Sequence, residues 1–432
     1  MKNIVMVGTS YVFFNLMERL QKEQKINLIH WFFKNPKDDK EIEEAQKAPF
    51  MPKDETYERV YKNISFFLDT YARVRVTQGK SYSELINMFA LLYNFIFSKL
   101  NQKVDYILFT NIPHNGIDYL VYLVAKELNI KTILFYNNPL FADRFFYIYD
   151  IEDFGKFEAI ESKKSITRDV EKQFKKDSVV KKGAKVENRR HRCFVNMLSR
   201  FSKMLFNRRQ HTSLADIISS FNKCQNYKRH LKSAVTKVNF DKKFVYFALH
   251  LQPELHTSTL GKIYNDQILA IEQLSTLLPN DWYIYVKDHP QQIFYQRDEY
   301  FFARLKQIPN TLYLSSDIST YELMSKAKFI STITGTVGWE AISGGKNALV
   351  FGSPWYLSLN GVFKYSPNLK LENILNYKIE HRLLTKNYNL LLEKSRKGTT
   401  NADYVDFVKD FSIEKNSEFL RKFLEEEIFR AS

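Results

Sequence analysis

Two short stretches of this chain offer groups suited to holding a phosphate, and each follows an apolar run that reads as a strand. In Lys287-Asp288-His289-Pro290, Lys287 and His289 can present positive or hydrogen-bonding groups, and Pro290 fixes the chain direction after the histidine. The second runs Phe329-Ile330-Ser331-Thr332-Ile333-Thr334-Gly335-Thr336-Val337-Gly338-Trp339-Glu340-Ala341. Here a short strand leads into Ser331, Thr332, Thr334, Gly335 and Thr336 and then opens a helix. Backbone N–H groups, hydroxyls and the positive helix end therefore converge on one point. Glu340, placed in the first turn of that helix, can accept hydrogen bonds from a ribose diol. A Ser/Thr/Gly cluster alone equally describes an ordinary N-cap. Two phosphate-compatible strand ends in one α/β domain carry more weight, because a nucleotide crevice needs both.

Two further stretches offer acid and base groups. His250-Leu251-Gln252-Pro253-Glu254-Leu255-His256-Thr257-Ser258-Thr259 follows another strand, with Gly261 and Asp266 beyond it. Glu254 is the acid expected nearest a reacting group, with Gln252 and Asp266 as support. It can otherwise bridge to Lys287 or cap the Thr257 to Thr259 turn. Asp288 is an alternative acid, although a neighbour of His289 in a strand points to the opposite face. Nearer the N-terminus, Pro113-His114 and Asp118 fall on a loop where His114 can act as a base, or simply be a surface histidine.

Alternating strand and helix patterns position these residues. Strands are predicted near Asn3 to Val7 and Ile26 to Phe33, with a helix near Val12 to Gln24 between them. A helix over Tyr82 to Leu100 is followed by Val104 to Phe109, a helix over Tyr119 to Leu128 and a strand over Lys131 to Phe135, a βαβ unit that implies a parallel sheet. Phe244 to Leu249, Trp282 to Val286, Leu312 to Leu314, Phe329-Ile330 and Asn347 to Phe351 are the strands of a second such sheet. Helices are expected near Tyr264 to Leu277, Ser319 to Lys326 and Gly338 to Ser343. In open sheets of this kind ligands sit at the carboxyl ends of strands, where all four stretches lie. The domain expectation is 1–153 (Rossmann-like), 154–241 (a basic helical insertion or connector), 242–373 (Rossmann-like, nucleotide-sugar donor) and 374–432 (helices that can cross back to the N-terminal domain).

A chain of 432 residues exceeds one ordinary core, and 44% hydrophobic residues with 36 Phe and 26 Tyr exclude general disorder. The two cysteines, Cys193 and Cys224, support neither a disulfide framework nor a structural zinc, which fits a reducing cytoplasm. No run approaches the roughly 20 apolar residues of a membrane span. Net charge is +16, and the stretch Lys163 to Lys243 holds 23 Lys or Arg against 6 Asp or Glu, so it carries the whole excess. That stretch reads as a solvated helical insertion or as a surface for anionic lipid headgroups. Nucleic acid is not expected, since no reading module accompanies the charge. Phosphate loop, nucleophile elbow, HExxH and GxGxxG patterns are all missing from the sequence, and no acidic pair at a strand end demands a metal.

Lys287-Asp288-His289-Pro290 resembles a K-[DE]-H-P motif, and Ser331-Thr332 through Glu340-Ala341 resembles S-[ST]…G-T-x-G-x-E-A, both of bacterial capsule polysaccharide biosynthesis glycosyltransferases. That group includes the Kdo transferases and is similar to the HP-motif sialyltransferases. Gln252-Pro253-Glu254, Asp266-Gln267 and Phe351-Gly352-Ser353-Pro354-Trp355-Tyr356 extend the resemblance over about Phe244 to Tyr356. It implies a GT-B fold, two Rossmann-like domains facing a cleft, and a metal-independent transferase of surface polysaccharide synthesis. The donor it implies is a CMP-activated 2-keto sugar such as Kdo, sialic or another nonulosonic acid; the acceptor is a glycan or glycolipid. No cofactor is expected beyond the nucleotide sugar as substrate. By the same resemblance His289 and Ser331-Thr332 hold the donor phosphate and Glu340 the ribose. If the reaction inverts, Glu254 or His114 takes the acceptor proton; if it retains, Glu254 attacks the anomeric carbon. UDP-sugar transfer, nucleotide-sugar 2-epimerisation and a non-enzymatic basic membrane or nucleic-acid-binding protein are the competing expectations. The location that follows is cytoplasmic, peripheral on the inner membrane face.

Overall fold

The structure, a computed structural model, describes residues 1–34, 40–71, 81–114, 116–157, 166–172, 197–198, 201–202, 214–252, 255–294 and 297–429. Glu254, Pro253, Asn115 and most of the basic stretch lie outside the described residues. The chain divides into two compact units, one from Met1–Arg73, Lys80–Thr167 and Asn389–Ser432, the other chiefly from Arg168–Tyr388. Each holds one six-stranded sheet, and both are α/β, as the alternating patterns imply.

The first sheet comprises β1 (Lys2–Val7), β2 (Ile26–Phe32), β3 (Tyr106–Phe109), β4 (Lys131–Asn137), β5 (Arg144–Ile148) and β12 (Arg396–Lys397), in the order β12-β5-β4-β3-β1-β2. The four strands β1 to β4 pair in parallel, while β5 and β12 add an antiparallel edge that the periodicity did not reveal. Strand β5 is Arg-Phe-Phe-Tyr-Ile, too short and too uniformly apolar to announce its direction. The C-terminal helix Ile413–Leu424 sets Leu420, Phe423 and Leu424 into the core beside Ile4, Met6, Phe135 and Phe145. The long helix Tyr82–Leu100 starts where the sequence places it because Ser81 and Glu84 close a capping box.

The second sheet is wholly parallel: β6 (Phe244–Ala248), β7 (Tyr283–Lys287), β8 (Thr311–Tyr313), β9 (Ile330–Thr332), β10 (Ala348–Val350) and β11 (Val362–Lys364). Its order is β11-β10-β9-β6-β7-β8, so the chain builds outward from β6 on one side and then on the other. The strand order reverses between β6 and β9, which is where such sheets bind ligands. Val245, Phe247, Ile284, Val286 and Leu349 form the core under the helix Gln267–Leu277. The opposite face is covered by the helices Thr320–Lys326 and Thr336–Ser343.

Three expectations change here. Ser331 and Thr332 are strand residues of β9, not turn residues after it. The loop after β6 contains an extra helix, Leu255–Gly261, over residues read as a turn. Cys224 is disulfide-bonded, against the expectation that the two cysteines stay reduced. Cys224 sits on the helix Leu214–Lys232, which packs Tyr227 against Phe294 and Phe302 and stacks His230 on Phe302. After that helix Val235 bridges in parallel to Leu314, beyond the end of β8.

Candidate functional site

The strand order makes neighbours of the two motifs. Strands β9 and β7 flank β6, so the ends carrying Thr332 and Lys287 stand about 10 Å apart with the end of β6 between them. His250, two residues past β6, occupies that middle place. Its Nε2 accepts the Thr334 backbone N–H at 3.0 Å and lies 3.1 Å from the Thr332 hydroxyl, which also reaches the Ala248 carbonyl at 3.2 Å. Accepting at Nε2 leaves the neutral ring's proton on Nδ1. His250 is itself fixed through its backbone, whose N–H donates to Gln267 at 2.8 Å. One buried histidine thus pins the chain that leads into the helix Thr336–Ser343.

That helix begins at Gly335, which supplies no side-chain cap. Its first N–H groups and positive end face the rim at Thr336, which is exposed. Gly335 is required by close approach: a Cβ there would lie 2.7 Å from Thr332 Oγ1 and 3.3 Å from His250 Nε2. Three residues on, a Cβ at Gly338 would meet the Tyr356 hydroxyl at 2.2 Å. Tyr356, the last residue of the Phe351 to Tyr356 stretch in the resemblance, donates to the Gly335 carbonyl.

The other strand end is built around charge. Arg297, with no exposed side-chain surface, donates from Nε to Asp288 Oδ1 at 2.9 Å. Its Nη1 donates to Gln252 Oε1 at 2.6 Å and its Nη2 to the His250 carbonyl at 3.2 Å. Tyr227 and Tyr313 donate their hydroxyls to the second oxygen of Asp288. Burial, with Asp288 nearby, holds the Tyr313 hydroxyl well above its ordinary ionisation range, so it stays a donor. Gln252 and Gln292 exchange backbone and side-chain bonds at 2.7 and 2.9 Å, tying the loops after β6 and β7 together. Breaking one side of such a buried pair costs about 3–5 kcal/mol, because the other charge is left uncompensated.

The candidate residues therefore separate. Asp288 is enclosed by three donors and works as part of the frame. Asp266 caps the helix Gln267–Leu277 through Ile268 and Leu269 N–H and pairs with Arg304 at 2.7 Å. Lys287 points to the opposite sheet face, where its ammonium donates to the Ile318 carbonyl and to Thr320 Oγ1 at 3.1 Å. Glu340 lies on the same side, in the second turn of its helix rather than the first, buried and close enough to Tyr246 to push that phenol's ionisation upward after burial itself. Ser331 is fully buried and its hydroxyl has no hydrogen-bond partner, so the structure does not bring it to the rim. His289 and Pro290 do reach the rim, half-buried and exposed respectively. His289 Nδ1 accepts the Gln291 N–H at 3.2 Å, so the neutral ring carries its proton on Nε2 as a donor.

In the first unit, His114 follows β3. Its Nδ1 bonds to the Ile112 carbonyl at 2.7 Å, which puts the neutral ring's proton there and leaves Nε2 basic. Asp118 accepts the His114 backbone N–H with both oxygens at 3.1 Å. Among the described residues no group of three or more His, Cys, Asp or Glu could hold a metal ion. Sequence reading missed Arg297, Gln292, Tyr227 and Tyr313 because none sits in a motif; His250 alone had a signal, its place directly after a strand.

Fold and rim together define a doubly wound α/β protein with an anion-compatible strand-end site in its second sheet. Residues 157–366 match the model of the family described as capsule polysaccharide biosynthesis protein. Among curated proteins none matches the sequence. Solved structures similar to the chain include Thermosulfurimonas dismutans KpsC, beta Kdo 2,7 transferase, at 10% identity and TM-score 0.35, over 98% of this chain and 99% of that one. The beta Kdo 2,4 transferase of the same organism's KpsC is 13% identical with TM-score 0.31, over 69% of this chain and 84% of that one. Methanocaldococcus jannaschii UDP-GlcNAc 2-epimerase is 12% identical with TM-score 0.25, over 98% and 99%.

Gly335→Ala is expected to destabilise the protein by about 1–3 kcal/mol, since the methyl must displace Thr332 or His250. Urea unfolding measures it, and an unchanged midpoint would show that the close approach imposes no constraint.

Proposed function

We propose that this chain is a glycosyltransferase of bacterial surface polysaccharide synthesis. It takes its sugar from a nucleotide-sugar donor, of which a CMP-activated 2-keto acid sugar is the preferred class, and passes it to a glycan or glycolipid acceptor. The observation that supports this most is the placement of the two motifs on the strand ends that flank the end of β6, inside the family-matched segment 157–366.

In this reading the donor's phosphate lies against the rim. His289 donates from Nε2, and the open N–H groups at Thr336 and the positive helix end accept the charge that develops as the sugar departs. Thr334 and Gly335 shape that turn. Thr332 and Ser331 act from within β9, and Lys287 contributes its field from beneath the sheet rather than by contact. These positive groups are placed to do what a divalent ion does in other transferases, so we assign a metal-independent reaction. His114, with Nε2 as its basic nitrogen, is the acceptor base of this proposal. Glu254 keeps the role of second candidate carboxylate, Gln252 supports its loop, and Glu340 remains the ribose ligand of this proposal. We place the work in the cytoplasm, with the basic stretch Lys163 to Lys243 at an anionic membrane surface. No helix among the described residues is long and apolar enough to cross a membrane.

A thermal-shift screen with CMP, CDP, UMP, UDP and GDP tests the donor. At 100 times its Kd, CMP should add about 2.7 kcal/mol, raising Tm by roughly 5 to 10 °C. Stabilisation by UDP alone would move the donor to a UDP-sugar, and release of free epimerised sugar without acceptor would make the protein a 2-epimerase. His289→Ala should lower transfer by about 10²- to 10³-fold with Tm unchanged, and wild-type turnover should survive EDTA; a fully active variant would remove His289 from the site. Sedimentation with phosphatidylserine vesicles should carry the protein down at low salt and release it at high salt, whereas equal binding to neutral vesicles would exclude an electrostatic surface.

A further inference from the structure

The loops after β6 and β7 carry the rim, and the backbone bond from Leu249 N–H to the Lys287 carbonyl ties only the first residue past β6. Beside the Gln252–Gln292 exchange, the Arg297 guanidinium bonds to both: to Gln252 Oε1 and the His250 carbonyl on the first, and to Asp288 on the second. All three bonds use a guanidinium with no exposed surface, sealed by the Phe301 ring 4.5 Å from its centre. A planar fork with fixed donor directions imposes one distance and one angle between the loops. His250 carries that geometry on to Thr334 and the helix start, and Asp288 precedes His289 directly.

We propose that Arg297 is the positioning residue of the nucleotide rim: it touches no ligand, and it sets His289 and the Thr334–Thr336 turn at the separation that the ligand requires. This rests on the reading of the rim as a nucleotide site. Asp288 is its charge partner, and Tyr227 and Tyr313 donate to the second oxygen of that carboxylate. The role is distinct from stabilisation. A neutral pair of similar volume can restore packing but not the fixed donor directions of the fork.

The test compares Arg297→Met with the double variant Arg297→Met, Asp288→Asn in the full chain, reading Tm, the Kd of CMP and of UDP by calorimetry, and amide exchange. The single variant should lose Tm because Asp288 keeps its tyrosine donors but loses its cation. The double variant should regain most of that Tm, while the Kd of whichever nucleotide the wild type binds stays raised by at least tenfold. Amides of 250–252 and 287–292 should exchange at least tenfold faster in the double variant, with the interiors of β6 and β7 unchanged. Affinity that returns along with Tm would reduce Arg297 to a structural residue and overturn the inference. If wild-type protein binds neither nucleotide, the functional reading fails, and exchange still decides the positioning role: unchanged protection in both loops would overturn it.

Discussion

A charge removed from water must meet a partner, and the second unit is organised around that requirement. The Arg297 guanidinium has no exposed surface, so Asp288, Gln252 and the His250 carbonyl must be where they are. Asp288 in turn needs its second oxygen satisfied, which brings in Tyr227 from the helix Leu214–Lys232 and Tyr313 from β8. Three strand ends and a segment outside the sheet are thereby fixed by one ion pair. Replacing it with apolar side chains could leave stability unchanged; what it supplies is a particular arrangement of loops.

Close backbone approach does the corresponding work at the other strand end. His250 and Thr332 press against Gly335, Tyr356 presses against Gly338, and Gly352 has no space for a Cβ beside the Leu260 carbonyl, 2.6 Å away. The glycines are needed for packing rather than for unusual backbone angles, since Gly335 has an ordinary φ of −66°. The result is a helix start without a side-chain cap, directed at the rim. Such a terminus is satisfied by water or by an anion.

The two histidines proposed to act on substrates are prepared in opposite senses. Backbone groups decide this: an N–H donated to Nδ1 of His289 leaves it a donor at Nε2, and a carbonyl that accepts from Nδ1 of His114 leaves a lone pair at Nε2. One suits a phosphate and the other a hydroxyl proton.

The sequence by itself determined the α/β class, most of the strands, and the placement of the motifs at strand ends, because apolar periodicity and turn residues are local properties. It also located His289 and the Gly335 turn. Only the tertiary structure decided which strand ends are neighbours, since β6 separates β7 from β9 through crossovers that no local pattern records. Side-chain direction was likewise invisible. Strand alternation sends Lys287 to the opposite face and keeps Ser331 inside β9, while the helix start at Thr336 leaves Glu340 one turn deeper than its spacing suggested. Arg297 had no signal at all, for a buried charge declares itself only through the partners that folding brings to it.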